Sequence, residues 1–261
     1  MIEALKPFFH QKTMVDGSNT TAMPILFSQL LFFRTLVQNN VPVQPLIHSM
    51  TALPPWTLTG NGLVLIAHFT ETFVRQQGFL DGFQQTTYRG WVGTVMLVDY
   101  TSSDVGPYCE LLFIPGLFNV KGRTTFSISK IYVSSQVSVD NGIANWGIPK
   151  EQADFTITTL EDGSKTYLVR KDGNTFFSVR VSAGGLSFPV NTKFLPGFQV
   201  TQQRGNDLLL TAPSASGTGQ FASLHELQID SDYFPDIRQG TRLATIAVTN
   251  FNMVFPVAAV L

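Results

Sequence analysis

The stretch that decides the fold is FTITTLEDGSKTYLVRKDGNTFFSVRV, which occupies residues 155–181. Three runs in it are rich in β-branched and aromatic residues, and the dipeptides Asp162-Gly163 and Asp172-Gly173 separate these runs. An Asp-Gly pair between two such runs is typical of a tight hairpin turn, because glycine readily adopts the positive φ that the turn needs. The stretch therefore predicts a three-stranded antiparallel meander.

Strand-like runs also occupy the chain on both sides of this stretch. They cover residues 62–69, 88–100, 108–114, 125–139, 208–211 and 243–255. A chain with so many strands removes its exposed edges most simply by closing the sheet. We therefore expect a mainly β fold, an antiparallel β-barrel or cone. Residues 212–219 are rich in Ser, Ala and Gly, which predicts a flexible surface loop.

The N-terminal part of the chain has a different pattern. The apolar residues Leu26, Leu30, Phe33 and Val37 fall at helical spacing and predict an amphipathic helix between residues 23 and 38. Four prolines between residues 42 and 55 then predict an extended linker. We expect residues 1–52 to form a helical extension with a proline-rich linker and residues 53–261 to form the β domain. The helix should cover an apolar patch on that domain or on a neighbouring subunit.

Composition narrows the possible function classes. Of the 261 residues, 44% are hydrophobic and only 13% are charged, which predicts extensive burial, including the subunit interfaces of a homo-oligomer. The net charge is −1 and no run of Lys or Arg occurs, so nucleic acid is not an expected partner. No stretch is typical of a signal peptide or of a membrane-spanning helix. With Cys109 as its single cysteine, the chain is expected in the cytoplasm.

Motifs for nucleotide, zinc or serine chemistry are missing from the sequence. The pair Gly60-Asn-Gly62 lacks the third glycine of a dinucleotide-binding loop, and no phosphate loop ends in Gly-Lys. The pair His225-Glu226 lacks the second histidine of a zinc protease helix, and no Gly-x-Ser-x-Gly elbow occurs. We expect neither a metal nor an organic cofactor.

The segment before the meander carries the features most suggestive of chemistry. Pro149 suits the first position of a short helix over residues 150–153. Lys150 would then lie in the positive potential of the helix start, and Trp146 would shield it from water, and both effects lower the pKa of a lysine. A neutral lysine amine can attack a carbonyl group and form a Schiff base. The alternative is an exposed lysine that pairs with Glu151.

A carboxylate in a predicted strand is the second unusual feature. Glu110 lies in YCELLFI, residues 108–114, where it shares a strand face with Leu112 and Ile114. A carboxylate on an apolar face is unfavourable unless it has a partner or a proton. Glu110 is therefore a candidate catalytic acid or base. The alternative is a structural carboxylate held by hydrogen bonds or by a salt bridge.

Together these motifs resemble the acetoacetate decarboxylase family. The resemblance rests on Tyr108-x-Glu110, a following long strand, Asn141-Gly142 and Trp146-Gly-x-Pro-Lys150, and it covers roughly residues 54–254. It implies a cone-shaped antiparallel β-barrel that assembles into oligomers. It also implies that Lys150 forms a Schiff base with a keto acid, that Glu110 is an active-site carboxylate, and that no cofactor takes part.

Three positions depart from the pattern of that family. Glu151 stands where the family has a second lysine, Asn61 falls where it has an arginine, and Val95 falls near a second glutamate. A carboxylate next to Lys150 would raise the pKa of the lysine. We therefore expect poor decarboxylation of acetoacetate. Other branches of the family use the same lysine for aldol, dehydration or hydration chemistry on larger keto acids.

Two functions remain open from the sequence. The first is a Schiff-base lyase that acts on a keto acid, with Lys150 and Glu110 as catalytic residues and with Tyr108, Trp146 and Asn61 in contact with the substrate. The second is a non-catalytic protein that binds an apolar or carbonyl ligand in the barrel interior.

Overall fold

The computed structural model describes residues 51–194 and 197–261. The predicted helix between residues 23 and 38 and most of the proline-rich linker lie outside the described residues. The division of the chain after residue 52 therefore stays a prediction.

Strands make up most of the described part of the chain. The first nine are β1 (Trp56–His68), β2 (Tyr88–Gly90), β3 (Val92–Ser102), β4 (Tyr108–Ile114), β5 (Leu117–Val120), β6 (Arg123–Phe126), β7 (Lys130–Val133), β8 (Lys150–Gln152) and β9 (Asp154–Thr159). They are followed by β10 (Lys165–Lys171), β11 (Asn174–Ala183), β12 (Phe188–Asn191), β13 (Val200–Arg204), β14 (Asp207–Thr211), β15 (Ser214–Ile229), β16 (Thr241–Phe255) and β17 (Ala259–Val260). The α-helices of this part are α1 (Glu71–Gln77), α2 (Gly82–Thr87) and α3 (Gln136–Trp146), and 3₁₀ turns occur at Thr192–Phe194 and Ile237–Gln239.

The main sheet is strongly curled and forms a half-barrel. Its strand path is β8-β7-β4-β3-β1-β16-β15-β11-β10-β9, with β12 paired to β15. Neighbouring strands are antiparallel except at the parallel β7–β8 pair. The two ends of the path, β8 and β9, are consecutive in the chain and are separated by Ala153 alone. The mainly antiparallel β fold predicted from the sequence is confirmed.

A second sheet follows the path β17-β14-β13-β6-β5-β2. Its strands β6 and β13 run parallel and meet at Phe126 and Val200. Buried side-chain hydrogen bonds join the same two segments, because the Ser127 hydroxyl donates to Gln202 Oε1 at 3.0 Å. Val200 also packs into the apolar cluster around Lys150 described below, so this sheet supports the candidate site.

The predicted meander is present as β9, β10 and β11. Val169 in the middle strand lies opposite Phe155 on one side and Phe177 on the other. Gly163 and Gly173 adopt φ values of 78° and 81°, as the tight turns between these strands require. The strand runs and turns of the decisive stretch are therefore confirmed.

The predicted long strand over residues 125–139 is wrong. That segment contains the end of β6, the whole of β7 and the first residues of α3. The helix begins because the Ser135 hydroxyl accepts a hydrogen bond from the Ser138 amide, which satisfies a free donor of the first turn. It ends because Gly147 adopts a left-handed φ of 67°, and the Gly147 amide donates to the last turn.

The predicted flexible loop at residues 212–219 is also wrong. Residues from Ser214 onward belong to β15, which pairs with both β12 and β16. The glycines that suggested a loop are needed here for close packing. A Cβ on Gly219 would lie 2.7 Å from side-chain atoms of Phe188 and Val190, which occupy that space instead.

Each face of the main sheet contributes to its own apolar core. Along β4, the side chains of Leu111 and Phe113 belong to one cluster, and those of Leu112 and Ile114 belong to the other. The second cluster also receives residues of α3, including Trp146. Because side chains alternate along a strand, Glu110 lies on the face of this second cluster, between the sheet and α3.

Candidate active site

Lys150 lies on a strand and not at the start of a helix. It is the first residue of β8, and its Cα partner on β7 is Ile131. The predicted short helix over residues 150–153 is therefore wrong. The preceding helix α3 ends at Trp146, so Lys150 does not lie in the positive potential of a helix N-terminus.

The Lys150 side chain is buried in a polar network. Its Nζ donates to Glu110 Oε2 at 3.0 Å and to Ser138 Oγ at 3.0 Å, and it lies 3.4 Å from the Tyr108 hydroxyl. The exposed fractions are 4% for the Lys150 side chain and 6% for the Glu110 side chain. The structure thus brings together three residues that the sequence singled out, from β4 and β8, and adds one from α3.

Tyr100 on β3 completes the network on the far side of Glu110. Its hydroxyl donates to Glu110 Oε1 at 3.1 Å, so both carboxylate oxygens have a donor. Burial and the charge of Glu110 raise the pKa of Tyr100 well above its usual value. Burial also raises the pKa of Tyr108, although Lys150 opposes this shift. Both phenols therefore stay protonated near neutral pH. The Tyr100 hydroxyl donates to Glu110, and the Tyr108 oxygen accepts from Lys150.

Aromatic rings line the buried amine. Lys150 Nζ lies 5.0 Å from the ring centroid of Tyr108 and 5.9 Å from that of Trp56. Trp146 packs edge-on against Trp56 with a centroid distance of 4.8 Å, and its indole N–H donates to the Pro256 carbonyl at 2.7 Å. Trp146 therefore supports Trp56, which is one of the rings beside the amine.

The protonation of Lys150 differs from the expectation. Burial alone lowers the pKa of Lys150, but the charge and hydrogen bond of Glu110, together with Tyr108, more than offset it. The net result is a pKa above the usual value for a lysine. The predicted lowering is therefore wrong for this resting arrangement, in which Lys150 is an ammonium paired with a carboxylate.

Gly142 gives the Lys150 side chain its path beside α3. A Cβ on Gly142 would lie 2.7 Å from Lys150 Cδ and 3.0 Å from Lys150 Cε. Real Cβ atoms essentially never approach so closely, so the lysine would have to move. The glycine of the Asn141-Gly142 motif therefore serves close packing inside a helix, and Gly147 alone supplies the turn at its end.

Glu151 lies on the opposite face of β8 from Lys150. Its carboxylate pairs with Lys130 at 2.5 Å and also with Lys171. Burial opposes the shift, but hydrogen bonds and charge from these two lysines lower the pKa of Glu151. The expectation that Glu151 raises the pKa of Lys150 is therefore wrong, because successive strand residues point to opposite faces and two cations already offset this carboxylate.

Comparison with solved structures identifies the fold of this chain. No protein-family model matches the sequence, and no curated protein matches it. Among solved structures, an acetoacetate decarboxylase from Legionella pneumophila matches with a TM-score of 0.63 and 14% identity, over 80% of this chain and 88% of that chain. Another acetoacetate decarboxylase structure matches with a TM-score of 0.64 and 8% identity, over 86% and 95%. The chain has the acetoacetate decarboxylase-like fold.

A further structure with this fold carries a ligand. The enduracididine biosynthesis enzyme MppR, complexed with pyruvate, matches with a TM-score of 0.57 and 14% identity, over 86% of this chain and 97% of that chain. Identities this low show a shared fold.

Two of the positions that depart from the family pattern lie away from Lys150 in this acetoacetate decarboxylase-like fold. Gly62, Val98 and Glu110 pair across three neighbouring strands and share one face of the sheet. Asn61 directly precedes Gly62 in β1 and pairs with Asp99. Because successive strand residues point to opposite faces, the Asn61 side chain lies on the other face. Its amide oxygen accepts from the Asn250 amide at 3.3 Å. The structure therefore does not bring Asn61 together with Lys150.

Val95 also lies on the far face of the sheet. It is 1% exposed and belongs to the other apolar cluster. A glutamate at this position would not face Lys150. Among the described residues, the one carboxylate in hydrogen-bonding contact with Lys150 is that of Glu110.

Ser138 and Tyr100 were not predicted from the sequence. Ser138 contacts Lys150 because it lies on α3, in a segment that the β-branched pattern assigned to a strand. The signal that could have found it is the pair of helix ends, Ser135 before the helix and Gly147 after it. Tyr100 lies beside Tyr108 across the β3–β4 pair, a contact that depends on strand register.

No helix in residues 51–194 and 197–261 is long and apolar enough to cross a lipid bilayer. Within the same residues, no cluster of three or more His, Cys, Asp or Glu side chains is arranged to hold a metal ion.

Proposed function

We propose that the protein is a Schiff-base-forming lyase in which Lys150 attacks the carbonyl group of a small substrate. The observation that carries this proposal is the buried Lys150–Glu110 pair with Ser138 and the two tyrosines around it. Keto acids are the substrate class that the sequence resemblance implies, and decarboxylation or a related aldol or dehydration reaction is the chemistry. Substrate-side contacts are assigned to Tyr108 and, through Trp56, to Trp146.

Glu110 has two roles in this proposal. It first takes a proton from the Lys150 ammonium, 3.0 Å away, which leaves the amine free to attack. It then returns that proton as the carbonyl oxygen leaves as water. Tyr100 and Tyr108 hold the carboxylate and the amine in position through hydroxyl hydrogen bonds. The resulting iminium accepts the electron pair of the bond that breaks in the substrate.

The direct test is borohydride reduction of the imine. The wild-type protein is incubated with pyruvate, acetoacetate, or a simple ketone and reduced with sodium borohydride, and the adduct is located by intact mass and peptide mapping. The proposal expects one adduct, at Lys150. Lys130→Met is a matched control, because Lys130 lies on the neighbouring strand and pairs with Glu151 on the other face.

Removal of the reactive lysine needs a variant that still folds. Lys150→Met alone would leave the buried carboxylate of Glu110 without its partner, which is strongly destabilising. The double variant Lys150→Met/Glu110→Gln replaces both charges and keeps similar side-chain shapes. It should fold and show no adduct. Labelling of this double variant equal to that of the wild type would refute the proposal.

A second function, ligand binding without catalysis, is favoured by one observation. The ion pair satisfies both Lys150 and Glu110 in the resting state, as a structural pair would. In that case an apolar carbonyl compound would bind and protect the protein against thermal unfolding, yet no carbonyl would leave an adduct. Borohydride trapping and a thermal shift measured on the same samples separate the two functions.

A further inference from the structure

The sheet face that carries Glu110 continues as an apolar surface across the neighbouring strands. Residues that pair across strands share a face, and residues two apart in a strand do also. Leu112 lies two residues from Glu110 in β4 and therefore on the same face. From Leu112, residues that are paired on neighbouring strands follow in the order Met96, Val64, Ile246 and Phe221. These five side chains are called the apolar row. They cross β4, β3, β1, β16 and β15, a distance of about 19 Å at the usual strand spacing.

Exposure rises along the apolar row with distance from the site. Leu112, next to Glu110, is 6% exposed, the middle three side chains are half-buried, and Phe221 is 61% exposed. The apolar row therefore leads from the buried ion pair to the protein surface.

The adjacent row, which starts at Glu110 itself, is apolar beyond Glu110. It runs through Val98, Gly62 and Val248. Gly62 has no side chain, and the nearest atoms to a Cβ placed there would be the Leu97 carbonyl oxygen at 3.3 Å, Val98 Cγ2 at 3.9 Å and Phe251 Cε1 at 4.0 Å. The face beside the apolar row is therefore lined by aliphatic side chains and by the edge of the Phe251 ring.

The charges at the buried end of this surface are already balanced. Glu110 carries the negative charge and Lys150 the positive one, at 3.0 Å. A substrate carboxylate would be a second anion beside Glu110, and every side chain in the two rows other than Glu110 is uncharged. Asn61, at the position of the family's arginine, lies on the other face of the sheet.

Resting on the proposed Schiff-base function, the geometry points to an uncharged aldehyde or ketone with an aliphatic chain as the substrate class. The carbonyl group reaches Lys150, and the chain lies along the apolar row toward Phe221. This class differs from the keto acids implied by the sequence resemblance. Among residues 51–194 and 197–261, no cation beside Lys150 is left for a carboxylate, and the two rows offer instead an apolar surface for a chain.

The covalent step is balanced with the groups present. A proton moves from the Lys150 ammonium to the Glu110 carboxylate, and Lys150 Nζ forms a bond to the carbonyl carbon. The oxygen takes up the proton held by Glu110 and one of the two protons of the amine nitrogen, and it leaves as water. The nitrogen keeps its other proton, so the ammonium and the ketone yield the iminium and water, and Glu110 is a carboxylate again.

The test compares carbonyl compounds that differ in chain length or charge alone. Butanone, heptan-2-one and undecan-2-one vary the chain, and 3-oxooctanoate is heptan-2-one with a carboxylate added. The concentration that gives half-maximal borohydride trapping at Lys150 should fall at least roughly tenfold from butanone to undecan-2-one, because each buried methylene strengthens binding several-fold. Heptan-2-one should trap at a lower concentration than 3-oxooctanoate.

Variants in the apolar row sharpen the test. Ile246→Ala should weaken trapping of undecan-2-one much more than trapping of butanone, because the shorter ketone extends less far along the apolar row. Val254→Ala is the matched control, since it removes the same kind of side chain from the same strand but on the opposite, exposed face. Met96→Arg places a cation in the row and should improve trapping of 3-oxooctanoate relative to heptan-2-one.

The outcomes separate this inference from the proposed function. Trapping at Lys150 that is independent of chain length, or that favours 3-oxooctanoate in the wild-type protein, overturns the inference and leaves the Schiff-base function standing. If Lys150 is labelled by none of these carbonyls, nor by pyruvate, the Schiff-base function itself fails. A rise in affinity with chain length that Ile246→Ala reduces and Val254→Ala does not supports the inference.

Discussion

At the scale of single residues, the charge of Glu110 keeps Lys150 protonated. Burial in an aromatic pocket alone would favour the neutral amine, but the carboxylate 3.0 Å away favours the ammonium more strongly and raises the pKa of Lys150. Imine formation therefore needs the proton to move to Glu110 first. This requirement explains, without Glu151, why we expect slow decarboxylation of acetoacetate, whose own carboxylate would keep the ammonium charged.

Glu110→Gln should make Lys150 more reactive at lower pH. The change removes the charge that raises the pKa of Lys150 and leaves burial, which lowers it. The midpoint of the plot of borohydride trapping rate against pH should therefore move down by at least about one unit. The maximum rate should fall as well, because the acid that protonates the leaving oxygen is lost. Trapping with butanone from neutral to alkaline pH measures both effects.

Glu151→Gln is the control for this measurement. It makes the same chemical change one residue from Lys150, but on the other face of β8. Its pH profile should superimpose on that of the wild type. If Glu151→Gln shifts the midpoint as much as Glu110→Gln does, the two charges act through a shared long-range field and the pairwise account of Lys150 is wrong.

The sequence identified the site residues that carry unusual chemistry for their setting. Glu110 stood out because it is a charged group on an apolar strand face, which Tyr108 shares. Lys150 stood out because it follows Pro149 close to Trp146 and matches the lysine of the family that the sequence resembles. Ser138 and Tyr100 could not be found this way, because serine and tyrosine are ordinary in strands and helices. Their roles come from tertiary placement, across α3 and across the β3–β4 pair.

At the scale of elements, α3 and β8 fit together through Gly142. The helix passes so close to the Lys150 side chain that only a glycine leaves room for the Cδ and Cε methylenes. The same helix supplies Ser138, whose hydroxyl accepts from Lys150 Nζ at 3.0 Å. The position of the amine therefore depends on how this helix and this strand pack.

Gly142→Ala should displace Lys150 and leave the fold intact. Alanine favours a helix over glycine by about 1 kcal/mol, which offsets part of the crowding. The end of the lysine side chain is what must move, so the hydrogen bonds to Ser138 and Glu110 should lengthen, and the trapping rate should fall at least roughly tenfold. Gly82→Ala in α2 is the control, since a Cβ there meets nothing within 4 Å. Wild-type trapping in Gly142→Ala would show that the lysine does not need this path.

Glu151 joins β8 to two other strands of the main sheet. Lys130 lies on β7 and Lys171 lies on β10, which are near opposite ends of the strand path. Glu151→Gln should lower the free energy of unfolding by about 1 kcal/mol, a value that allows for screening because 39% of this side chain is exposed. Glu226→Gln, which breaks a more exposed pair with Arg180, should have a smaller effect.

The difference in the free energy of unfolding between the wild type and Glu151→Gln should become smaller as the pH falls. The two lysines lower the pKa of Glu151 in the folded protein. Its contribution is therefore fully present above the unfolded value of about 4.5 and is lost as pH falls through the lowered folded value. Urea unfolding of the wild type and Glu151→Gln should differ most above pH 4.5, and the two curves should converge in acid. A difference that grows in acid would contradict this assignment.

Secondary structure was predictable where turn chemistry and strand pattern agree. The meander has Asp-Gly turns between strand-like runs, and both features hold in the structure. The strand predicted over residues 125–139 is wrong in part, because β-branched and aromatic residues suit a strand, whereas the Ser135 cap and tertiary packing favour α3. The loop predicted at residues 212–219 is wrong because Gly219 allows close packing against Phe188 and Val190, and a local sequence pattern does not reveal such a contact.

At the scale of the whole molecule, the two end strands of the main sheet, β8 and β9, are consecutive in the chain. The segment 150–159 pairs with β7 through β8 and with β10 through β9, so one short stretch joins the two ends of the strand path. Lys150 is the first residue of that stretch. The curl that the fold needs and the placement of the amine therefore arise from the same residues, and changes at this junction should affect stability and reactivity together.

Assembly into a homo-oligomer stays a prediction from composition and from the sequence resemblance. Several large apolar side chains of the described part are exposed in the single chain, among them Leu186 at 90% and Phe194 at 71%. Subunit contacts would remove such side chains from water. Sedimentation of the full chain should give a mass of at least a dimer at micromolar concentration, and a monomer under those conditions would refute the prediction.

The predicted N-terminal helix leads to a test on the length of the chain. Leu26, Leu30, Phe33 and Val37 form an apolar stripe whose burial would contribute about 6–10 kcal/mol before the entropy of ordering. A chain that starts at Thr51 removes the stripe but keeps Ala52, whose amide donates to Asn141 Oδ1 at 2.8 Å and whose carbonyl accepts from Asn145 Nδ2 at 2.8 Å.

If the stripe covers an apolar surface, the chain that starts at Thr51 should lose solubility, sediment differently from the full chain or melt at a lower temperature. Lys150 trapping per folded molecule should persist, since every polar contact of the amine described above lies after residue 51. The full chain with Leu30→Ser and Phe33→Ser is the matched comparison, because it retains the length and removes the apolar character. Unchanged sedimentation and unchanged melting in both proteins would show that the stripe has no apolar partner.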